Sequence, residues 1–180
     1  MLKRLPVWTR FRRDRRGVAA VEFALIAPVM VLLYCGLVEL CQAVIAERKA
    51  NHVASAIGDL VTQTDTVTTS DLSDIFSVGN TVMQPFPTST LQMRLTSITV
   101  DPNGSPKVVW SHSSGSMTPY SVGASVTVPL TLNPGDNVVM SESQYQYSSV
   151  LHYVLPNVLN YTEKYYLRPR RSDSVTCNGC

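Results

Sequence analysis

The chain has 180 residues, of which 44% are hydrophobic and only 16% charged, with a mean hydropathy of +0.05. That length holds one modest domain with or without a spanning segment; it excludes a large multi-domain enzyme, and the composition excludes disorder as the overall state. The formal charge of +2 hides an asymmetry, because seven of the fifteen Lys and Arg (Lys3, Arg4, Arg10, Arg12, Arg13, Arg15, Arg16) fall in residues 1–16 beside one acid, Asp14, and the remaining 164 residues carry a formal −4. The basic run abuts a hydrophobic segment, a pattern that does not indicate nucleic-acid binding.

That segment, Val18 to Val38, reads VAAVEFALIAPVMVLLYCGLV and holds one charge, Glu22. Twenty-one residues at about 1.5 Å each match a hydrocarbon core of roughly 30 Å. The basic block before it, with none after it, orients the span with its N-terminus cytoplasmic and the rest of the chain outside. The run is longer than the apolar core of about 7–15 residues in a secretory signal, and no A-x-A site follows it. A lipoprotein signal would use Cys35, but Tyr34 stands where a small residue is needed. Glu22 lies early in the span, at headgroup depth or neutralised by a partner, since an unpaired carboxylate in the bilayer costs about 2–3 kcal/mol or more. Pro28 lacks an amide hydrogen and is a candidate kink.

Beyond the span the helix is expected to continue to about Leu60, some 65 Å in all at 1.5 Å per residue. Val44, Ala46, Ala50, Val53, Ala54, Ile57 and Val61 form an apolar side, opposite Glu47, Arg48, Lys49, Asn51 and His52. Ala19, Ala20, Ala24, Ala27, Gly36 and Ala43 allow close helix approach. Residues 62–70 read as a polar linker, with Ser70 or Asp71 capping a second helix whose apolar positions are Leu72, Ile75, Phe76, Val82 and Met83. Pro85 and Pro87 end it. The pattern then changes to period two at Leu91, Met93 and Leu95, slips at Ser97, and resumes at Ile98 and Val100. Asp101-Pro-Asn-Gly-Ser-Pro106 signals a turn, and Val108–Trp110, Ala124–Leu132 and Val138–Tyr147 read as strands, Pro129 marking an edge or bulge. Tyr153 to Tyr166 reads as loop followed by a final strand. The fold class expected is α+β: a long N-terminal transmembrane helix running into a small extracytoplasmic domain with one short helix and an antiparallel sheet.

No P-loop, GxGxxG, nucleophile elbow or HExxH occurs, and His52, His112 and His152 fall on separate elements. Asp71 and Asp74 are read as charges favourable to a helix N-terminus. Neither an enzyme nor a cofactor or metal site is expected. Cys35 and Cys41 lie about 240° apart around the helix axis and are read as free thiols. Cys177-Asn-Gly-Cys180 contains a turn-forming pair on the oxidising side, favouring a small local disulfide over a two-thiolate metal site. The basic residues Lys164, Arg168, Arg170 and Arg171 are read as a solvated, frayed terminus, with contact to an acidic partner or anionic headgroups as the other reading.

The junction Arg15-Arg16-Gly17-Val18-Ala19-Ala20-Val21-Glu22-Phe23 resembles the processing site of type IV prepilins: a basic leader, a glycine, an apolar helix, and Glu at the fifth position after the cut. The Glu22-Phe23 variant, the stretch AAVEFALIAPV and the following Glu39 are similar to the TadE/TadF pseudopilins of tight-adherence (Flp) pilus systems, and closer to TadE. The resemblance is strong over about residues 12–50 and weaker at the tail, in Tyr-Leu-Arg-Pro-Arg and the terminal cysteines. It implies cutting between Gly17 and Val18 by a separate membrane prepilin peptidase, with Gly17 offering unobstructed backbone. It further implies Glu22, with Phe23 beside it, setting subunit register against the new α-amino group of a neighbour. Partners implied are that peptidase, other pseudopilins, the assembly platform proteins and the lipid bilayer of a bacterial inner membrane, the C-terminal domain being periplasmic or extracellular. The organisation expected is a basic leader over 1–17, a transmembrane helix over 18–40, a helix extension over 41–61, an α+β domain over 62–170 and a CxxC tail over 171–180. Two other readings stay open: an uncleaved anchor presenting a small binding domain, and an oxidoreductase using Cys177 and Cys180.

Overall fold

The computed structural model describes residues 17–149 and 158–180. The leader residues 1–16, His152 and the beginning of the Tyr153–Tyr166 stretch lie outside the described residues. Helix α1 spans Val18–Thr62, 45 residues, or about 68 Å at 1.5 Å per residue. Pro28 is accommodated inside it. Its buried positions, Glu39, Ala43, Ala46, Ala50, Val53, Ala54, Ile57, Gly58, Val61 and Thr62, recur every three or four residues, which puts them on one stripe. Val44, expected on the apolar side, is 41% exposed, because it lies about 100° around the axis from Ala43.

Helix α2, Thr69–Met83, is capped by Thr68 rather than by Ser70 or Asp71. The Asp71 amide donates to Thr68 Oγ1 at 3.2 Å, and Asp71 Oδ2 accepts from the Thr68 amide at 2.8 Å. Two orphan donors are thereby satisfied reciprocally. The bond from the Thr68 backbone, then that from its side chain, hold the Asp71 carboxyl below the usual carboxylate range. The buried side of α2, Leu72, Phe76, Gly79 and Met83, faces the core it shares with α1 and the sheet.

The main sheet has order β3-β2-β4-β5 and is antiparallel throughout: β2 Gln92–Val100, β3 Pro106–Ser114, β4 Asn137–Tyr147, β5 Leu159–Leu167. The pattern slip at Ser97 is a bulge, the register against β3 shifting between Ser97 and Ile98. This lets Leu95 and Ile98 both be buried although their spacing breaks strict alternation. At the β2–β3 turn Asp101 Oδ1 accepts from the Asn103 and Ser105 amides, and Gly104 takes a φ of 80°, a left-handed conformation that favours glycine.

Serines on β4 set how closely the sheet approaches α1. Ser141 Oγ donates to the Ala54 carbonyl at 2.6 Å and Ser143 Oγ to the Ala50 carbonyl at 2.7 Å. Two residues of strand (about 6.8 Å) against four of helix (about 6 Å) mean that β4 runs antiparallel to α1. On β5, Tyr161 donates to the Ala43 carbonyl at 3.1 Å and Tyr165 to Asn51 Oδ1 at 2.7 Å, so β5 runs back along the helix. The β4–β5 end of the sheet therefore lies level with residues 39–43.

Three expectations need correction. Ala124–Leu132 is not a strand: after one isolated bridge, Lys107 to Ser125, and backbone bonds from residues 123–126 to Pro106 and Val108, the segment leaves the β3 edge. Pro129 has no amide to continue a ladder. The linker over 62–70 contains β1, Thr66–Thr68, which pairs in parallel with β6, Thr176–Asn178. The terminus is consequently docked, not frayed: the Val175 carbonyl accepts from Trp110 Nε1 at 2.7 Å, and the Arg170 amide donates to the Thr62 carbonyl at 2.9 Å.

Candidate membrane and assembly surface

The lower half of α1 offers almost nothing but apolar side chains to its surroundings. Phe23 is 73% exposed, Leu25 71% and Leu33 63%, and no part of the apolar window is buried. A continuous patch of this size far exceeds the few hundred Å² that monomeric proteins leave to water. This one apolar helix fits a single-pass membrane protein. At its start, Gly17 has an ordinary right-handed backbone (φ −84°, ψ −12°), and a Cβ built there meets no atom of the described residues within 4 Å. Val18, Glu22 and Phe23 follow, all exposed.

At the other end of the apolar run, Glu39 is buried and accepts a hydrogen bond from Ser149 Oγ. The bond fastens the end of β4 to the helix where the span stops. Burial pushes the Tyr147 phenol up; the bond from Ser149 opposes this and the Glu39 charge adds to it. Beside Glu39 a groove of about 590 Å³ opens between Val38 and Gln42 on α1, the Pro85-Phe86-Pro87 turn, and Tyr145 and Tyr147 on β4. Sequence reading placed Glu39 only within a family resemblance. Its partner lies 110 residues away, and no local signal connects the two.

The outer face of the sheet holds an ion triad that the sequence pattern did not suggest. Glu142, 2% exposed, meets Arg94 Nε at 2.6 Å and Lys164 Nζ at 2.8 Å. Arg94 also donates to the Thr118 carbonyl at 2.6 Å and stacks 3.9 Å from the centre of the Tyr120 ring. Burial acts to raise the Glu142 pKa, but the hydrogen bonds and charges of Arg94 and Lys164 outweigh it and hold the carboxyl below its ordinary value. The basic residues of the tail are likewise used internally, Arg168 on Asp136 at 3.2 Å and Arg170 on Asp59 at 2.5 Å. Arg171 is exposed.

Cys177 and Cys180 are paired, with Cα atoms 5.8 Å apart, and Cys35 and Cys41 are free thiols. The pair lies at the β6 end of the fold, while Gly17 and Glu22 lie at the far end of α1, so the structure does not bring these residues together. His52 is exposed, and His112 stacks on Phe76 with ring centres 6.1 Å apart. Among the described residues no group of three or more His, Cys, Asp or Glu could hold a metal ion.

Comparison with known proteins gives a family match. Residues 17–58 match the family model described as TadE-like protein. The matched stretch covers the exposed apolar half of α1 and most of the half packed on the sheet. It supports involvement in the tight-adherence pilus system and indicates no catalytic family. No curated protein and no solved structure gives a significant match.

Proposed function

We propose that this chain, TadE-like over residues 17–58, is a minor pseudopilin that helps assemble a tight-adherence (Flp-type) pilus. It is inserted with its N-terminus in the cytoplasm of a bacterial inner membrane. A prepilin peptidase cuts between Gly17 and Val18, removing the seven leader basics and freeing the α-amino group of Val18. The α+β domain, carrying its Cys177–Cys180 disulfide, stands outside and presents shape and contacts to other pseudopilins and the assembly platform. No substrate is turned over.

The observation that carries this reading is the exposed apolar half of α1, with Glu22 and Phe23 five and six positions after Gly17. Within a bundle of such helices, the Glu22 carboxylate of one subunit meets the Val18 ammonium of its neighbour. In low dielectric an uncompensated charge costs several kcal/mol, so the pair favours one axial register over others. Glu22→Ala in the native host tests this, with processing and pilus formation read separately. The reading predicts a processed protein that fails to support pili. Normal pili together with normal processing would remove the register role.

A further inference from the structure

We propose that the groove beside Val38 binds lipid, taking the upper part of a phospholipid acyl chain from the leaflet that faces the domain; this rests on reading Val18–Val38 as the membrane span. Height is the first argument. Val38 is twenty residues beyond Val18, about 30 Å along the helix, which puts the groove at the edge of the hydrocarbon core.

Continuity is the second. Tyr34, Val38 and Gln42 follow one another at four-residue spacing on one side of α1. Tyr34 is 69% exposed and Val38 37%, so the lipid-facing surface of the helix runs into the groove without a polar break until Gln42. Across from Val38 the walls are Pro85, Phe86, Tyr145 and Tyr147. Aromatic side chains of this kind belong at the boundary between lipid and water. The volume, about 590 Å³, falls in the range of sites that enclose small ligands.

The lining chemistry separates chain from headgroup. No cationic side chain appears among the described lining residues, and the one charged residue there, Glu39, is an anion bonded to Ser149. A phosphate gains nothing beside it, whereas a hydrocarbon chain gains the burial of its surface against Phe86 and Val38. The groove accordingly selects the chain and is indifferent to the headgroup.

The test uses the full chain in membranes containing phosphatidylethanolamine with a diazirine in the upper acyl chain. After irradiation the labelled peptides are located by mass spectrometry. Label is expected on residues 18–38 and also on residues 84–90 and 145–149. Ser89→Trp, at an exposed rim position, is expected to cut the groove label severalfold and leave the helix label unchanged. Label confined to 18–38 overturns the proposal. Groove label that ignores Ser89→Trp, or that is stronger from a headgroup diazirine, overturns it as well. Absence of label on 18–38 removes the span itself, and the lipid site with it.

Discussion

Glu142 is a carboxylate that the fold can bury only because two cations converge on it from neighbouring strands. Arg94 on β2 and Lys164 on β5 stand directly across from it in the ladder, an opposite-charge arrangement that stabilises cross-strand pairs. Arg94 contributes more than Lys164, since the Arg94 side chain is 12% exposed and that of Lys164 45%, and water screens the exposed pair. The folded pKa of Glu142 lies below its unfolded value of about 4.5. The stability it contributes is therefore full above that pH and is lost as pH falls through the folded pKa. Glu142→Gln should lower the unfolding free energy by about 2 kcal/mol near neutral pH, the scale of a charge-assisted hydrogen bond in a partly buried site. The gap between the two proteins should narrow as the pH falls below about 4.5 and on through the lower folded pKa, as denaturant unfolding followed by far-UV circular dichroism can show. A gap independent of pH would mean that the carboxylate charge is not what matters there. None of this triad was legible in the sequence, because its members are 48 and 22 positions apart and carry no motif. Gly17 is a contrasting case. The sequence singled it out, and among the described residues neither backbone conformation nor packing requires a glycine at that position.

Helix α1 lives in two environments, and its composition follows the change. Up to Val38 it is apolar apart from Glu22; from Glu39 onward the small residues Ala43, Ala46, Ala50, Ala54 and Gly58 line the side that meets the sheet. At Gly58 the sheet comes close to the helix backbone. A Cβ there would lie 2.6 Å from Leu167 Cδ1 and 2.8 Å from Ser141 Cβ. Gly58→Ala gains about 1 kcal/mol of helix propensity but overpacks the α1–sheet contact, which typically costs 1–3 kcal/mol. The expected net effect is a loss of about 1 kcal/mol, seen as a lowered thermal midpoint; a rise in the midpoint would show that Leu167 moves aside without cost. Element prediction succeeded where the signal was local. The helical stripe from Ala46 to Val61, the period-two run of β2 and even its bulge at Ser97 could be read from residue order alone. It failed where pairing partners are distant. The β1–β6 ladder joins residues 110 positions apart, and its strands are three residues long, too short for any periodicity to appear. Ala124–Leu132 failed for the opposite reason: its alternating Val and Leu have the composition of a strand, but Pro129 and the exit from the β3 edge deny it a ladder.

At the scale of the whole molecule, one helix connects an apolar surface that water cannot cover to a domain whose core closes on the same helix. The two halves are coupled by the seam at Glu39, where β4 ends against α1 through Ser149, so the domain is held at a fixed height above the last residue of the span. The charge asymmetry of the sequence fits that arrangement. Seven basic residues precede Gly17, and cutting there would leave a chain with a formal charge of −4 whose apolar helix begins with a free ammonium and, four residues later, Glu22. Fold class and the membrane span were legible from composition and periodicity, whereas the register role proposed for Glu22 depends on neighbours that no single chain contains. The most direct test of processing is the N-terminal sequence of the protein isolated from membranes of its native host. The account predicts a start at Val18; a start at Met1 in cells with an active prepilin peptidase would contradict it.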